Sequence, residues 1–285
     1  MEGFEGRHAV VTGAGAGIGQ GVAVALARRG TNITIAEIDP DRGEHTATLV
    51  RQAGATALVV PTDVMQVEQV EHAVDAGHAQ FGRTDFLVNN AGGVRSGLFL
   101  EQKERNWRRL IDINLVSALA ATSRAVPLIA QGKQGGAVVN VVSIEASRAA
   151  PRFAVYAACK AALVNLTRTL ALEFAADQIR VNAIAPDLTV TPGIRGQARG
   201  PVDPGSWPPR TDDEQDGIDR YIPLGREGAI EECGEVVAFL CSEQARYVTG
   251  VTVPVDGGTW ASSGWTRTPD RSGWTLTGQA MGQSV

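Results

Sequence analysis

Lysine is scarce in this chain. Only Lys103, Lys133 and Lys160 carry it, among 26 basic residues set against 31 acidic ones for a net charge of −5. A general nucleic-acid binder needs a basic excess, so that class of partner is disfavoured. Cysteine is as sparse. Cys159, Cys233 and Cys241 form no C-x-x-C pair and read as reduced, buried thiols of a cytoplasmic protein, with no metal expected. No stretch of about 18 uninterrupted apolar residues occurs, so no membrane partner is expected either. The start, MEGFEGRHAV, lacks a basic segment before an apolar one, and no secretory signal is expected. Without staples the fold rests on its core. A chain of 285 residues buries enough surface on folding to supply one.

What is present is alternation. Short β-branched runs at His8–Thr12, Asn32–Ala36, Ala57–Pro61, Asp85–Asn89, Gly136–Val142, Ile179–Ile184 and Thr252–Val255 read as strands. Most are apolar throughout, as strands covered on both faces are. Helical patterns fill the gaps: Ile18–Arg29, Asp41–Gln52, Val67–Phe81, Lys103–Ile129, Val155–Ala176 and Ile230–Leu240. Ile18, Val22, Ala25 and Leu26 fall on one face of the first. The order predicts an α/β fold, a doubly wound, Rossmann-like parallel sheet in one domain. Two segments depart from it. Residues 187–220 hold five Pro and five Gly and read as a lid without a long helix. Residues 259–285 carry Trp260, Trp265 and Trp274, too aromatic for a tail that docks on nothing.

The first strand runs into T-G-A-G-A-G-I-G, ending at Gly19, which opens the first helix. Gly13, Gly17 and Gly19, with Ile18 between the last two, let backbone approach a pyrophosphate at a helix N-terminus. Glu37 closes the second strand. An acid there accepts the adenosine ribose 2′-hydroxyl and repels a 2′-phosphate. No Arg or Lys stands in the glycine loop, where Ala16 takes the place, or directly after Glu37. NAD is therefore the expected cofactor. Tyr156 and Lys160 form Y-A-A-C-K, and i, i+4 spacing puts both on one helix face. A neighbouring ammonium favours tyrosinate. Ser143 stands 13 residues before Tyr156 at a strand end, and Asn90, Ala91 and Gly92 end another strand at the same edge, where ligands bind in this architecture.

On TGAGAGIG, Asp63-Val64, NNAG, Asn114, Ser143, YAACK, Pro186 to Thr191 and the closing YVTGVTVPVDGG at 258, the chain resembles the compact short-chain dehydrogenases/reductases. The resemblance covers residues 6–258. It implies that Ser143 holds the substrate oxygen and Tyr156 is the acid/base. Lys160 would bind the nicotinamide ribose and lower the Tyr156 pKa, and Asn114 would hold a water of the proton relay. It further implies that Asp63 and Val64 meet the adenine, that Asn90 supports the sheet beside the cofactor, and that Pro186, Thr189 and Thr191 lie at the nicotinamide. Asp187 departs from the family's usual glycine. Either the local backbone differs or the acid faces substrate. Cys159, beside Lys160, reads as packing on the other side of its helix.

The implied reaction is hydride transfer between NAD(H) and a secondary alcohol or ketone. The expected pocket comprises Gly93, Val94, Ile144, Glu145, Phe153, Asp187, Leu188 and Trp207, mostly apolar, suiting a cyclic or steroid-like alcohol. Glu145 and Asp187 leave a polyol open. Two alternatives are a 3-oxoacyl carrier-protein reductase, disfavoured by Glu37 and the negative charge, and a non-catalytic NAD-binding regulator or scaffold. Related proteins pair their long helices across two-fold axes, so a homotetramer is expected. Residues 1–258 are read as the NAD-binding and catalytic domain and 259–285 as an extension. That tail either packs on its own subunit or crosses to a neighbour's pocket.

Overall fold

The computed structural model of the chain describes residues 3–197, 200 and 202–276. Seven parallel strands form one sheet. They are β1 (His8–Thr12), β2 (Asn32–Glu37), β3 (Ala57–Pro61), β4 (Phe86–Asn89), β5 (Gly136–Val141), β6 (Ile179–Pro186) and β7 (Thr252–Val255), in the order β3-β2-β1-β4-β5-β6-β7. The expected fold class is the one observed. The order reverses between β1 and β4, and the crevice at their C-terminal ends is where such sheets bind ligands.

Alternate residues of each strand feed two cores. Val11 and Ile35 pack under α1 (Gly17–Ala27), α2 (Pro40–Gln52) and, later in the chain, a helix spanning Ile230–Cys241. Val10, Leu87 and Val138 pack on the other face under α3 (Val67–Phe81) and the segment 104–131. Burying both faces explains why the strands read as continuous apolar runs.

Residues 104–131 form one helical run with a fault in it. α4 (Glu104–Ile111) passes into a single π-turn at Asp112–Val116 and then α5 (Ser117–Gln131). The run is long and apolar enough to cross a membrane by length and composition, yet half of its most apolar window is buried inside this fold. α6 (Ala154–Glu173) follows β5.

The lid contains a helix that the sequence reading missed, α7 (Asp212–Tyr221). Its D-D-E-Q-D-G run is followed by the helix's one buried residue, Ile218, so no periodicity announces it. Its start is held instead by a capping box between Thr211 and Glu214. α8 is Ile230–Cys241.

Beyond β7, Asp256 accepts the Gly258 and Trp260 N–H groups at 2.9 and 2.7 Å and starts α9 (Thr259–Ser262). A small antiparallel hairpin follows, β8 (Thr266–Arg267) with β9 (Trp274–Thr275). It sits on its own chain's lid. Arg220 donates to the Arg267 carbonyl at 3.2 Å, Arg267 donates to that of Pro223 at 2.6 Å, and Arg271 pairs with Asp219. Trp260, Trp265 and Trp274 nevertheless stay 50%, 41% and 41% exposed. The last residues of the tail, 277–285, lie outside the described residues.

Candidate active site

The glycine loop is built for close approach. Gly13 and Gly17 have φ of +61° and +59°, left-handed values that favour glycine. A Cβ on Gly19 would lie 2.3 Å from the Gly13 carbonyl oxygen and 2.4 Å from Asn90 Nδ2. The N-cap of α1 is Ala16, which brings no side-chain acceptor. The first N–H groups of the helix are thus left for an anion, and a pyrophosphate fits this cradle. Ile18 packs on the core behind it.

Glu37 is fastened to that loop. Its carboxylate accepts the Gly15 N–H at 2.9 Å and the Ile38 and Asp39 N–H groups at 2.9 and 3.1 Å. The sequence reading found no base beside Glu37; folding brings one from α2. The Arg42 Cβ would lie 2.8 Å from a Cβ on Gly15. The Arg42 guanidinium reaches the lid, donating to the Gly200 carbonyl at 2.7 Å and the Gln197 carbonyl at 2.9 Å, while Asp39 accepts the Gly200 N–H at 3.3 Å. Residues 197 and 200 are therefore fastened to the start of α2. Separations of 155 and 158 residues gave no signal of these contacts.

Asn90 staples β4 to the loop by donating to the Thr12 and Gly13 carbonyls, both at 2.9 Å. Ala91 N–H donates to Thr12 Oγ1 at 3.0 Å. Asp63 is half-buried and accepts the Met65 N–H at 3.0 Å, whereas Val64 is buried in the second core. Thr191 stands over the loop, 3.3 Å from where a Cβ on Gly17 would be. Pro186 ends β6, paired with Val255. Thr189 is buried with its hydroxyl 3.9 Å from Cys233 Sγ.

The four expected catalytic residues converge. The Ser143 hydroxyl stands close enough to the Tyr156 hydroxyl to favour its ionised form. Lys160 Nζ lies 5.7 Å from the Tyr156 ring centroid and donates to the Val141 carbonyl at 2.8 Å. A Cβ on Gly92 would come within 2.8 Å of Asn114 Oδ1 and 3.4 Å of Lys160 Nζ. The π-turn supplies Asn114. Its Oδ1 accepts the Gly93 N–H at 3.2 Å and its Nδ2 donates to the Gly93 and Leu110 carbonyls at 2.8 and 2.9 Å. The side chain thus fixes the 92–93 backbone beside Lys160.

The charge states differ from the sequence expectation. Burial holds the Lys160 ammonium down to about 8. Tyr156 is pushed up rather than down, by burial first and then by the Glu145 and Asp187 carboxylates, with the Ser143 hydroxyl opposing. Desolvation outweighs the Ser143 hydroxyl, the one group that favours tyrosinate. Cys159 is buried, with its Sγ 3.8 Å from the Leu110 carbonyl oxygen, in agreement with a packing role.

Of the expected pocket residues, Ile144 needs correction. It is 1% exposed and packs with Val142, Leu163 and Ala183 in the core, so it cannot line a pocket. Trp207 is tied inside the lid, its Nε1 donating to Gln197 Oε1 at 2.6 Å under Arg195. Arg195 and Arg210 share Glu227, with nearest approaches of 3.1 and 2.5 Å. Val94 is exposed, and Phe153 precedes α6 by one residue. Leu188 bonds through its carbonyl to the Gly228 N–H at 2.9 Å. Glu145 and Asp187 belong to a polar group that sequence reasoning had no means to assemble. Arg148 donates to Glu145 Oε1 at 2.7 Å and to the Tyr221 hydroxyl at 2.6 Å, and Tyr221 donates to Asp187 Oδ2 at 3.0 Å.

Comparison with known proteins follows the same lines. Residues 13–259 match the family described as Enoyl-(Acyl carrier protein) reductase. A 3beta-hydroxysteroid dehydrogenase 1 of Eggerthella lenta is 36% identical over 255 residues, 89% of this chain and 94% of that protein. A 3-oxoacyl-[acyl-carrier-protein] reductase of Staphylococcus epidermidis is 32% identical over 253 residues, 88% of this chain and 98% of that protein. The crystal structure of carveol dehydrogenase from Mycobacterium avium in complex with NAD superposes with a TM-score of 0.81 at 29% identity, covering 90% of this chain and 98% of that one.

Proposed function

The chain belongs to the short-chain dehydrogenase/reductase family, and from this we propose that it is an oxidoreductase that moves a hydride between NAD(H) and a secondary alcohol or ketone. The observation that carries this reading is the convergence of Ser143, Tyr156, Lys160 and Asn114 at the sheet edge that also holds the glycine cradle. The nicotinamide, when bound, supplies the hydride acceptor. The protein's residues do the rest. Ser143 hydrogen-bonds the substrate oxygen and Tyr156, as tyrosinate, takes the hydroxyl proton. Lys160 holds the nicotinamide ribose, and Asn114 sets the loop beside Lys160 and holds the relay water. Asp63 and Val64 meet the adenine, and Thr189 and Thr191 the carboxamide.

NAD over NADP rests on Glu37. Its carboxylate beside Gly15 repels a 2′-phosphate and retains lone pairs for a ribose hydroxyl. A neighbour crystallised with NAD supports a nicotinamide cofactor. Relatives named for a hydroxysteroid and for carveol support a cyclic alcohol. The carrier-protein reductase reading draws on several relatives of that name, and Glu37 with the net −5 weighs against it. A homotetramer is supported by outward apolar residues on the long helices, Ile111, Leu119 and the 79% exposed Leu172. A panel of secondary alcohols assayed for reduction of NAD and NADP tests the reading. NAD-linked oxidation of cyclic alcohols supports it. Turnover confined to 3-oxoacyl thioesters with NADPH gives the second reading, and cofactor binding without turnover makes the protein a regulator.

A further inference from the structure

Three separate segments bring polar groups together beside Ser143. Asp187 follows the C-terminal end of β6. Glu145 lies two residues beyond Ser143 and donates its own N–H to Ser143 Oγ at 3.2 Å. Tyr221 comes from the last turn of α7 and donates its hydroxyl to Asp187.

The charges in this group do not cancel. Arg148 makes two hydrogen bonds to Glu145, at 2.7 and 3.3 Å, and satisfies that carboxylate. Its nearest approach to Asp187 is 3.9 Å, beyond hydrogen-bond reach. Asp187 is thus held by one neutral donor, the Tyr221 hydroxyl, at 10% side-chain exposure, in a cluster whose net charge is −1. Its burial without a cation of its own is costly unless further donors arrive. The Glu145 N–H reaches Ser143 Oγ, and Arg148 and Tyr221 link Asp187 to Glu145, which sets both carboxylates on the Ser143 side of the crevice.

We propose that Asp187 binds substrate directly, accepting a hydrogen bond from a second donor, a hydroxyl or an ammonium, carried by the alcohol being oxidised. Glu145 reinforces this by keeping Arg148 away from Asp187, so that the pocket end is anionic and turns away carboxylates. This deepens the function proposed above and rests on Tyr156 marking the reacting centre. The competing role for the same group is a strap that fastens lid helix α7 to the loop after β5.

The test compares cyclohexanol, 1,2-cyclohexanediol, 2-aminocyclohexanol and 2-hydroxycyclohexanecarboxylate on the full-length enzyme. Binding to the enzyme–NADH complex is read by NADH fluorescence, and kcat/KM by NAD reduction. Wild type, Asp187→Asn and Tyr221→Phe are measured, with folding of each checked by thermal unfolding. The diol or the amino alcohol should bind at least about tenfold more tightly than cyclohexanol, and the carboxylate more weakly than it. Asp187→Asn should erase most of that preference while Tyr221→Phe keeps it. Equal affinity for cyclohexanol and both donor-bearing analogues would overturn the proposal. So would a preference unchanged in Asp187→Asn, or lost to the same extent in both variants, as a strap requires. Preference in binding without turnover of any alcohol would defeat the proposed reaction and leave this inference standing.

Discussion

The Gly15 N–H donates to the Glu37 carboxylate at 2.9 Å, joining the glycine loop to the end of β2. The two features that a sequence reader uses separately, a phosphate cradle and an acid 22 positions on, are one hydrogen-bonded unit. In the proposed binding of NAD, this unit sets the carboxylate beside the ribose 2′ position. Catalytic efficiency with NAD should therefore exceed that with NADP by at least about tenfold, or about 1.4 kcal/mol. Glu37→Ala should narrow the gap by removing the repulsion. Initial rates with both cofactors check this, and equal use of the two by wild type would remove the basis for NAD.

Alcohol oxidation needs tyrosinate, and burial together with the Glu145 and Asp187 carboxylates holds the Tyr156 pKa above its ordinary value. The rate should therefore rise with pH on the alkaline side of neutrality, where the tyrosinate fraction grows. Glu145→Gln removes one of the opposing charges, so its pH–rate limb should move to lower pH. A kcat/KM profile of wild type and variant reads the shift directly. A limb that moved to higher pH would contradict the electrostatic account.

Much of this arrangement was legible in the residues, for physical reasons. Strands such as β1 and β5 are buried on both faces, so their apolar runs stand out. The loop glycines and the Tyr156–Lys160 spacing carry their geometry in sequence. Asn114 does not, since a π-turn leaves no periodic mark, and its place came only from resemblance. α7 was hidden because its stability lies in a capping box and not in an apolar stripe. Ile144 looked like a pocket residue because it follows Ser143, but the turn after β5 points it into the core. The Tyr156 shift was misjudged because sequence displays the cation four residues away and says nothing of burial. Arg42 and Tyr221 reach their partners only through the fold.

The far end of the sheet sets a pH limit on stability. His8 is fully buried, with Nδ1 2.7 Å from the Arg83 carbonyl oxygen and Nε2 2.8 Å from Thr34 Oγ1. Burial lowers its pKa from 6.5 to about 4, against the hydrogen bond to the Arg83 carbonyl and the pull of Asp85, with smaller help from the His78 and Arg83 charges. The folded pKa lies below the unfolded one, so the stabilisation is complete above about 6.5 and is lost as pH falls towards 4. The loss should be about 3 kcal/mol. Denaturant unfolding between pH 7 and 4 should show this slope, and His8→Gln should flatten it. An unchanged slope in the variant would assign the acid sensitivity elsewhere.

The tail seats its hairpin on α7 through Arg267 and Arg271 while leaving three Trp side chains half exposed. We expect those rings to be covered by a neighbouring subunit beside its substrate pocket. Deleting residues 262–285 should raise KM for substrate much more than KM for NAD and weaken the tetramer in light scattering. A truncated enzyme with wild-type kinetics and assembly would leave the tail as a local brace or less.

The central claim is that Tyr156, beside Ser143 and backed by Lys160, carries the proton of an NAD-linked alcohol oxidation. NADH formation by Tyr156→Phe on an alcohol that wild type oxidises tests it most directly, with NAD affinity measured alongside. The account expects turnover to fall by at least about a thousandfold, within the range of general-base catalysis, with NAD affinity close to wild type. Turnover within tenfold of wild type would contradict it.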